Sequence, residues 1–179
     1  MSQIDDQGQV VQYLSFELAG VEYGVGLLAV KEILQYEPVT PVPSVPRSIR
    51  GVINLRGSVV PVIDLAVKFG LAETAATRRT CILVVEVALD GRPTVVGLLA
   101  DAVCEVIELG PEDVEPPPPF GTRVDAEHLI GMGKQGGARF VQLLDLDRVV
   151  AANEQGLAGP AAEAPPPAPP AASPTGAPA

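Results

Sequence analysis

Between residues 11 and 153 the apolar residues of this 179-residue chain fall in short runs, nearly every one closed by a glycine or a proline. That spacing suits short strands and leaves little room for helices, which need about ten or more uninterrupted residues. Leu14, Phe16 and Leu18 alternate with Tyr13, Ser15 and Glu17, the pattern of a half-buried strand, and Ala19-Gly20 turns the chain into a second strand over residues 21–25. Residues 30–36 read as a third, after one helical turn at 27–29. Pro38, Pro41, Pro43 and Pro46 then impose an extended connection. Residues 51–55 and 58–63 predict a hairpin around Arg56-Gly57, where Gly57 supplies positive φ. Pro61 assigns the second arm to a sheet edge or a bulge. Asp64 is placed to cap a short helix over 65–69, stopped by Gly70, and the polar residues 72–79 mark a break.

The second half repeats the pattern. Residues 80–89 are almost continuously apolar, which predicts a strand buried on both faces, and Asp90-Gly91 turns it into a partner over 94–100. A further strand over 103–109 ends at Gly110-Pro111. Residues 114–120, with four consecutive prolines, form an extended connector. Residues 129–133 and 139–144 pair across a glycine-rich turn, and Asp145 is placed to cap a closing helix over 146–152. With no Trp, four Phe and three Tyr, the core must be built from Val, Leu, Ile and Ala, which suits strands. The simplest assembly is all-β: two small modules divided near residues 70–80, each closed into a barrel to remove its edges, with the closing segment packing back. Residues 1–10, polar, and 154–179, rich in Ala and Pro, are expected to be disordered ends.

The formal charge of −10 and pI of about 4.5 argue against nucleic-acid binding, which needs clustered Lys and Arg. The N-terminus lacks the basic and apolar regions of a signal peptide, and no apolar run approaches the length of a membrane span, so the expected location is the cytoplasm without membrane insertion. Cys81 and Cys104 sit in apolar runs and read as small buried hydrophobes. Gly131-Met132-Gly133-Lys134-Gln135-Gly136 matches G-x-G-x-x-G, but a strand-like segment follows where a dinucleotide site needs a helix, so it reads as a β-turn. His128 is the only histidine, no G-x-S-x-G elbow accompanies it, and zinc would lack ligands. Asp145 and Asp147 read as capping and solvated residues. No catalytic, cofactor-binding or metal-ligating residue is assigned. One local anomaly stays open: residues 38–63 carry Arg47, Arg50 and Arg56 and no acidic residue, which fits either a solvated loop face or a partner-binding face.

The run Arg50-Gly51-Val52-Ile53-Asn54-Leu55-Arg56-Gly57-Ser58-Val59-Val60-Pro61-Val62-Ile63-Asp64-Leu65 closely resembles the signature of the CheW family. Glu22-Tyr23-Gly24-Val25 followed by Val30-Lys31-Glu32-Ile33, Leu109-Gly110-Pro111-Glu112-Asp113-Val114 before the proline run, Leu129-Ile130-Gly131-Met132-Gly133, and the closing 144–150 segment extend the resemblance over about residues 12–153. It implies two intertwined five-stranded SH3-like barrels with short helices, including a C-terminal one. It implies a non-catalytic chemotaxis coupling protein, without cofactor, that joins the signalling tip of methyl-accepting chemoreceptors to the regulatory domain of the histidine kinase CheA. Other CheW-like proteins in array rings are further partners, and recruitment to membrane-associated receptor arrays follows.

By the same resemblance Val30, Glu32, Arg50, Gly51, Arg56 and Gly57 belong to the receptor-binding groove, while Phe120 and Glu115 belong to a kinase or ring contact. Arg56 is expected to pair with Glu32, as a partly buried pair worth about 1.5–3 kcal/mol. Two departures stand out: a longer hairpin at 88–94, and an acidic Glu115 where the family's enteric member is basic. A free-standing SH3-like peptide-binding module is the alternative, and the absence of Trp weighs against a polyproline groove.

Overall fold

The computed structural model describes residues 8–122 and 124–158; the expectations for residues 1–7 and 159–179 lie outside them. The strands are β1 (Val11–Leu18), β2 (Val21–Gly26), β3 (Val30–Gln35), β4 (Ile49–Leu55), β5 (Ser58–Asp64), β6 (Cys81–Leu89), β7 (Arg92–Ala100), β8 (Ala102–Leu109), β9 (Val114–Glu115), β10 (Leu129–Gln135) and β11 (Arg139–Leu144). Two helices accompany them, α1 (Leu65–Lys68) and α2 (Leu146–Ala158), with 3₁₀ turns at Leu27–Ala29, where one helical turn was expected, at Pro111–Asp113 and at Ala126–His128.

The strands form two sheets, in the orders β3-β6-β7-β5-β4 and β8-β1-β2-β11-β10-β9. Neighbours are antiparallel except β5 with β7 and β2 with β11, one parallel pair in each sheet. The first two strands therefore join the last four, and the polar stretch at 72–79 falls inside the five-stranded sheet, between α1 and β6. The other sheet has six strands rather than five, because the two residues of β9 add to the edge of β10.

Three apolar clusters hold this together. The largest lies between the sheets, joining Phe16, Leu18, Tyr23 and Val25 to Leu65, Leu83, Val85 and Leu98. Val149 and Val150 of α2 enter the same cluster, which docks the helix. Tyr13, Ile107, Leu109, Val141 and Leu143 fill the concave side of the six-stranded sheet, and Val62, Ile82, Val84 and Leu99 that of the other. Each such side chain, fully buried, contributes about 1.5–3 kcal/mol.

Several expectations change. β1 is buried on both faces over Tyr13–Phe16, not half-buried, because the sheet curls around the second cluster while its other face packs on the first. β5 is an interior strand; Pro61 is tolerated because pairing with β7 begins only at Val62. The 88–94 hairpin is long in its strands, not its loop, with pairing unbroken to Leu89–Arg92 around a two-residue turn. Cys81 is buried, but Cys104 is exposed: β8 bulges there, two residues facing Ser15 of β1, and the strand is turned away from the central core. Helix α2 continues to Ala158, past the expected end at 152 and into the stretch assigned to the tail, since nothing before Pro160 forbids it. No helix among the described residues is long and apolar enough to cross a membrane.

Candidate functional site

The β4–β5 turn is made by Arg56 at φ 50° and Gly57 at φ 85°, both left-handed, as a tight two-residue hairpin requires. The Asn54 side chain steadies it by accepting from the Gly57 N–H at 2.9 Å. From this perch Arg56 donates to Glu32 Oε2 of β3 at 3.1 Å, so the expected pair forms. The Arg56 side chain is 80% exposed and that of Glu32 30%, so the pair is a surface one. Its contribution is below about 1 kcal/mol, smaller than a partly buried pair would give. Val30 opens β3 and packs against the central cluster.

Arg50 stands at the opposite end of β4, six residues and roughly 20 Å of extended chain from Arg56, and faces another way. Its guanidinium donates to Glu73 Oε2 at 3.1 Å and to the Thr74 carbonyl at 3.3 Å, and lies 3.8 Å from Asp64 Oδ2. Asp64, fully buried, accepts from Ala66 N–H at 3.1 Å as the cap of α1, and from the Thr74 amide and hydroxyl at 2.9 Å each. Beside Arg50, Gly51 lies at φ 151°, and a Cβ there would sit 2.2 Å from the Thr40 carbonyl oxygen. Thr40 and Val52 exchange two backbone bonds of 2.9 Å across that contact, which fastens the proline-rich connector to β4. Arg47, Arg50 and Arg56 are thus not a free positive face: Glu73 serves the first two and Glu32 the third.

Glu115 belongs to β9 at the edge of the six-stranded sheet, and Phe120 to the connector that follows it, apart from the residues above. Glu115 pairs with Lys134 of β10, and a Cβ on Gly131 would meet the Glu115 carbonyl oxygen at 2.7 Å, so β9 lies tightly on β10. Gly131 and Gly133 therefore serve strand packing, and only Gly136 of the glycine motif is in the turn. Phe120, after the four prolines, is 82% exposed.

Sequence reasoning missed one concavity. A cleft of about 380 Å³ opens between the six-stranded sheet and the β6–β7 hairpin. Val11, Tyr13, Ile130 and Leu146 give it an apolar floor, Leu28, 87% exposed, stands at its rim, and Glu86, Asp145 and Asp147 are the charged lining residues among the described ones. Burial pushes the Tyr13 phenol pKa up from its ordinary value. Asp147 accepts the Ala88 N–H at 2.9 Å and so ties the start of α2 to β6. No group of three or more His, Cys, Asp or Glu among the described residues could hold a metal. The cleft thus combines an apolar floor with an acidic rim, and Phe120, which is not among its lining residues, offers an exposed aromatic ring elsewhere. The one visible signal for the cleft was Leu27-Leu28, an apolar pair in a one-turn helix too short to bury both.

The profile of the CheW-like domain family matches residues 12–154. The chain is 36% identical over 146 residues to a chemotaxis protein CheW of Klebsiella aerogenes, covering 82% of this chain and 85% of that one. It is 33% identical over 144 residues to one of Rhizobium meliloti, covering 80% and 90%. Among solved structures, the scaffolding protein TtCheW from Thermoanaerobacter tengcongensis superposes with a TM-score of 0.70 at 33% identity, over 79% of this chain and 92% of that one. The two curled sheets are accordingly those of an SH3-like fold.

Proposed function

The chain belongs to the CheW family and is a chemotaxis adaptor, and on that premise we propose that it couples the cytoplasmic tips of chemoreceptors to the histidine kinase CheA without catalysing any step. The observation that carries this reading is the open cleft with its apolar floor and with Leu28 at its rim, just before Val30 and Glu32 in the chain. A receptor tip is a helical hairpin, and a helix presents apolar anchors three and four residues apart that fit such a groove. The acidic rim adds attraction for basic residues flanking those anchors. Val30, Glu32, Arg56 and Gly57 continue the receptor surface along β3 and the hairpin tip, the Arg56–Glu32 pair holding that tip in one orientation. Gly51 and Arg50 support it through β4. Phe120, with Glu115, faces the regulatory domain of CheA or a second coupling protein, and its exposed ring is the natural anchor. The protein works in the cytoplasm, at membrane-associated arrays.

The test is reconstitution of a soluble receptor signalling fragment, CheA and the full chain, reading co-sedimentation and kinase autophosphorylation. Leu28→Glu is expected to weaken receptor binding by about tenfold or more while leaving CheA binding unchanged. Wild-type protein that binds neither partner and leaves kinase output indifferent to receptor would overturn the reading.

A further inference from the structure

The connection between α1 and β6 is built more firmly than a polar loop of its length requires. Asp64 accepts two hydrogen bonds from Thr74, and Arg50 donates to the Thr74 carbonyl. Farther along, Thr80 Oγ1 accepts from the Thr77 N–H at 2.8 Å and donates to the Ala75 carbonyl at 3.2 Å, while Thr77 Oγ1 accepts from the Arg79 N–H at 3.2 Å. Thr74 and Thr80 are buried. What the loop turns outward is Arg78-Arg79, both exposed. Neither makes an ion pair with any described residue, whereas most other cations of this acidic chain do. Arg47, with its side chain 84% exposed, reaches the same loop at Glu73, 3.9 Å away. Arg47 and Arg50 are already paired with Glu73, and Arg50 also lies near Asp64, so Arg78 and Arg79 are the cations of this region left without an ion pair among the described residues, in a protein whose net charge is −10.

We propose that the 71–80 loop is a docking surface for an acidic segment of a protein partner, with Arg78 and Arg79 as carboxylate-binding forks and Arg50, Asp64 and Thr74 as the latch that holds them in place. A fork on a rigid loop gives up little freedom on binding, which favours directed, bidentate contacts with carboxylates. Anionic membranes attract clusters of about four to eight basic residues, and nucleic acids need many phosphate contacts; two free arginines on an acidic protein match neither. The surface lies on the opposite end of β4 from the hairpin tip, so it serves a contact separate from the receptor groove.

The choice of partners to test rests on the adaptor reading. Calorimetric titration of the full chain with the receptor fragment and with CheA, at low and at high salt, compares wild type with Arg78→Glu/Arg79→Glu. The expected result is a loss of about tenfold or more in affinity for one partner, with its salt dependence reduced, the other partner unaffected and Tm unchanged. Arg78→Lys/Arg79→Lys, which keeps charge but loses the fork, should lose less. Arg78→Gln/Arg79→Gln replaces the reversal if that variant does not fold. Unchanged affinity for both partners overturns the proposal and leaves the adaptor reading standing, and so does an equal loss toward both, which would report only the change in net charge. Wild-type protein that binds neither partner overturns both ideas. Binding of phosphatidylserine vesicles or RNA through these two arginines, with no effect on the protein partners, overturns the commitment to a protein.

Discussion

At the scale of single residues, two glycines of one motif have different reasons for being glycine. Gly51 has no space: its Cβ would sit 2.2 Å from a backbone oxygen that is itself held by paired hydrogen bonds. Gly57 has space, with nothing near its Cβ, and only its φ of 85° matters. Gly57→Ala should therefore cost about 1 kcal/mol in urea denaturation, and Gly51→Ala several times more, since the proline-rich connector must leave β4. Lys68 is a second such residue. Its Nζ is buried without a hydrogen-bond partner among the described residues, and burial lowers its pKa from 10.5 to about 8. Between those values the unfolded chain binds more protons than the folded one, so this group's effect on stability improves as pH rises from about 8 to about 10.5. Below about 8 the penalty is complete. Lys68→Met is expected to raise stability at neutral pH by about 1 kcal/mol, part of the penalty being screened around a half-buried residue, and the gain should vanish above the window. A gain that persists at high pH would point to packing instead.

At the scale of elements, the strand β4 works as a strut with different chemistry at each end. Its C-terminal end carries the exposed Arg56–Glu32 pair; its N-terminal end carries the latch around buried Asp64. Removing the guanidinium of Arg50 leaves a buried carboxylate without its counter-charge. Arg50→Met should then cost about 3 kcal/mol and increase hydrogen exchange at the Thr74 amide. Arg56→Ala should cost under about 1 kcal/mol. A coupling defect from Arg56→Ala would thus be a defect of the surface, and one from Arg50→Met a defect of the loop that Arg50 holds.

At the scale of the molecule, the two sheets share one core. Side chains from both, and from α2, enter the largest cluster, and strands from the two ends of the chain are interleaved in one sheet. Neither sheet can unfold without exposing the central face of the other. Thermal unfolding is accordingly expected in one transition, with calorimetric and van't Hoff enthalpies equal. Two separated transitions would show that the concave clusters suffice for each sheet alone. The same shared core sets the cleft, whose walls come from β1, the β6–β7 hairpin and α2.

Read alone, the amino-acid order settled several features governed by near neighbours along the chain. Gly57 and Asp90-Gly91 marked their turns, Asp64 its cap, and residues 80–89 a strand buried on both faces, while the 50–65 signature located the hairpin that carries Arg56. Only the tertiary structure decided what depends on neighbours distant in sequence. Tyr13 and Ser15 looked like the wet face of β1 until the sheet curled over them; Cys104 looked buried until β8 turned outward. The latch partners of Asp64 lie ten residues downstream in a stretch that reads as a polar break. The cleft is assembled from segments more than a hundred residues apart, and no local pattern records it. Backbone conformation is set by local sterics, which sequence displays; charge pairing, and burial outside a continuous apolar run, are set by which strands the fold brings together, which it does not.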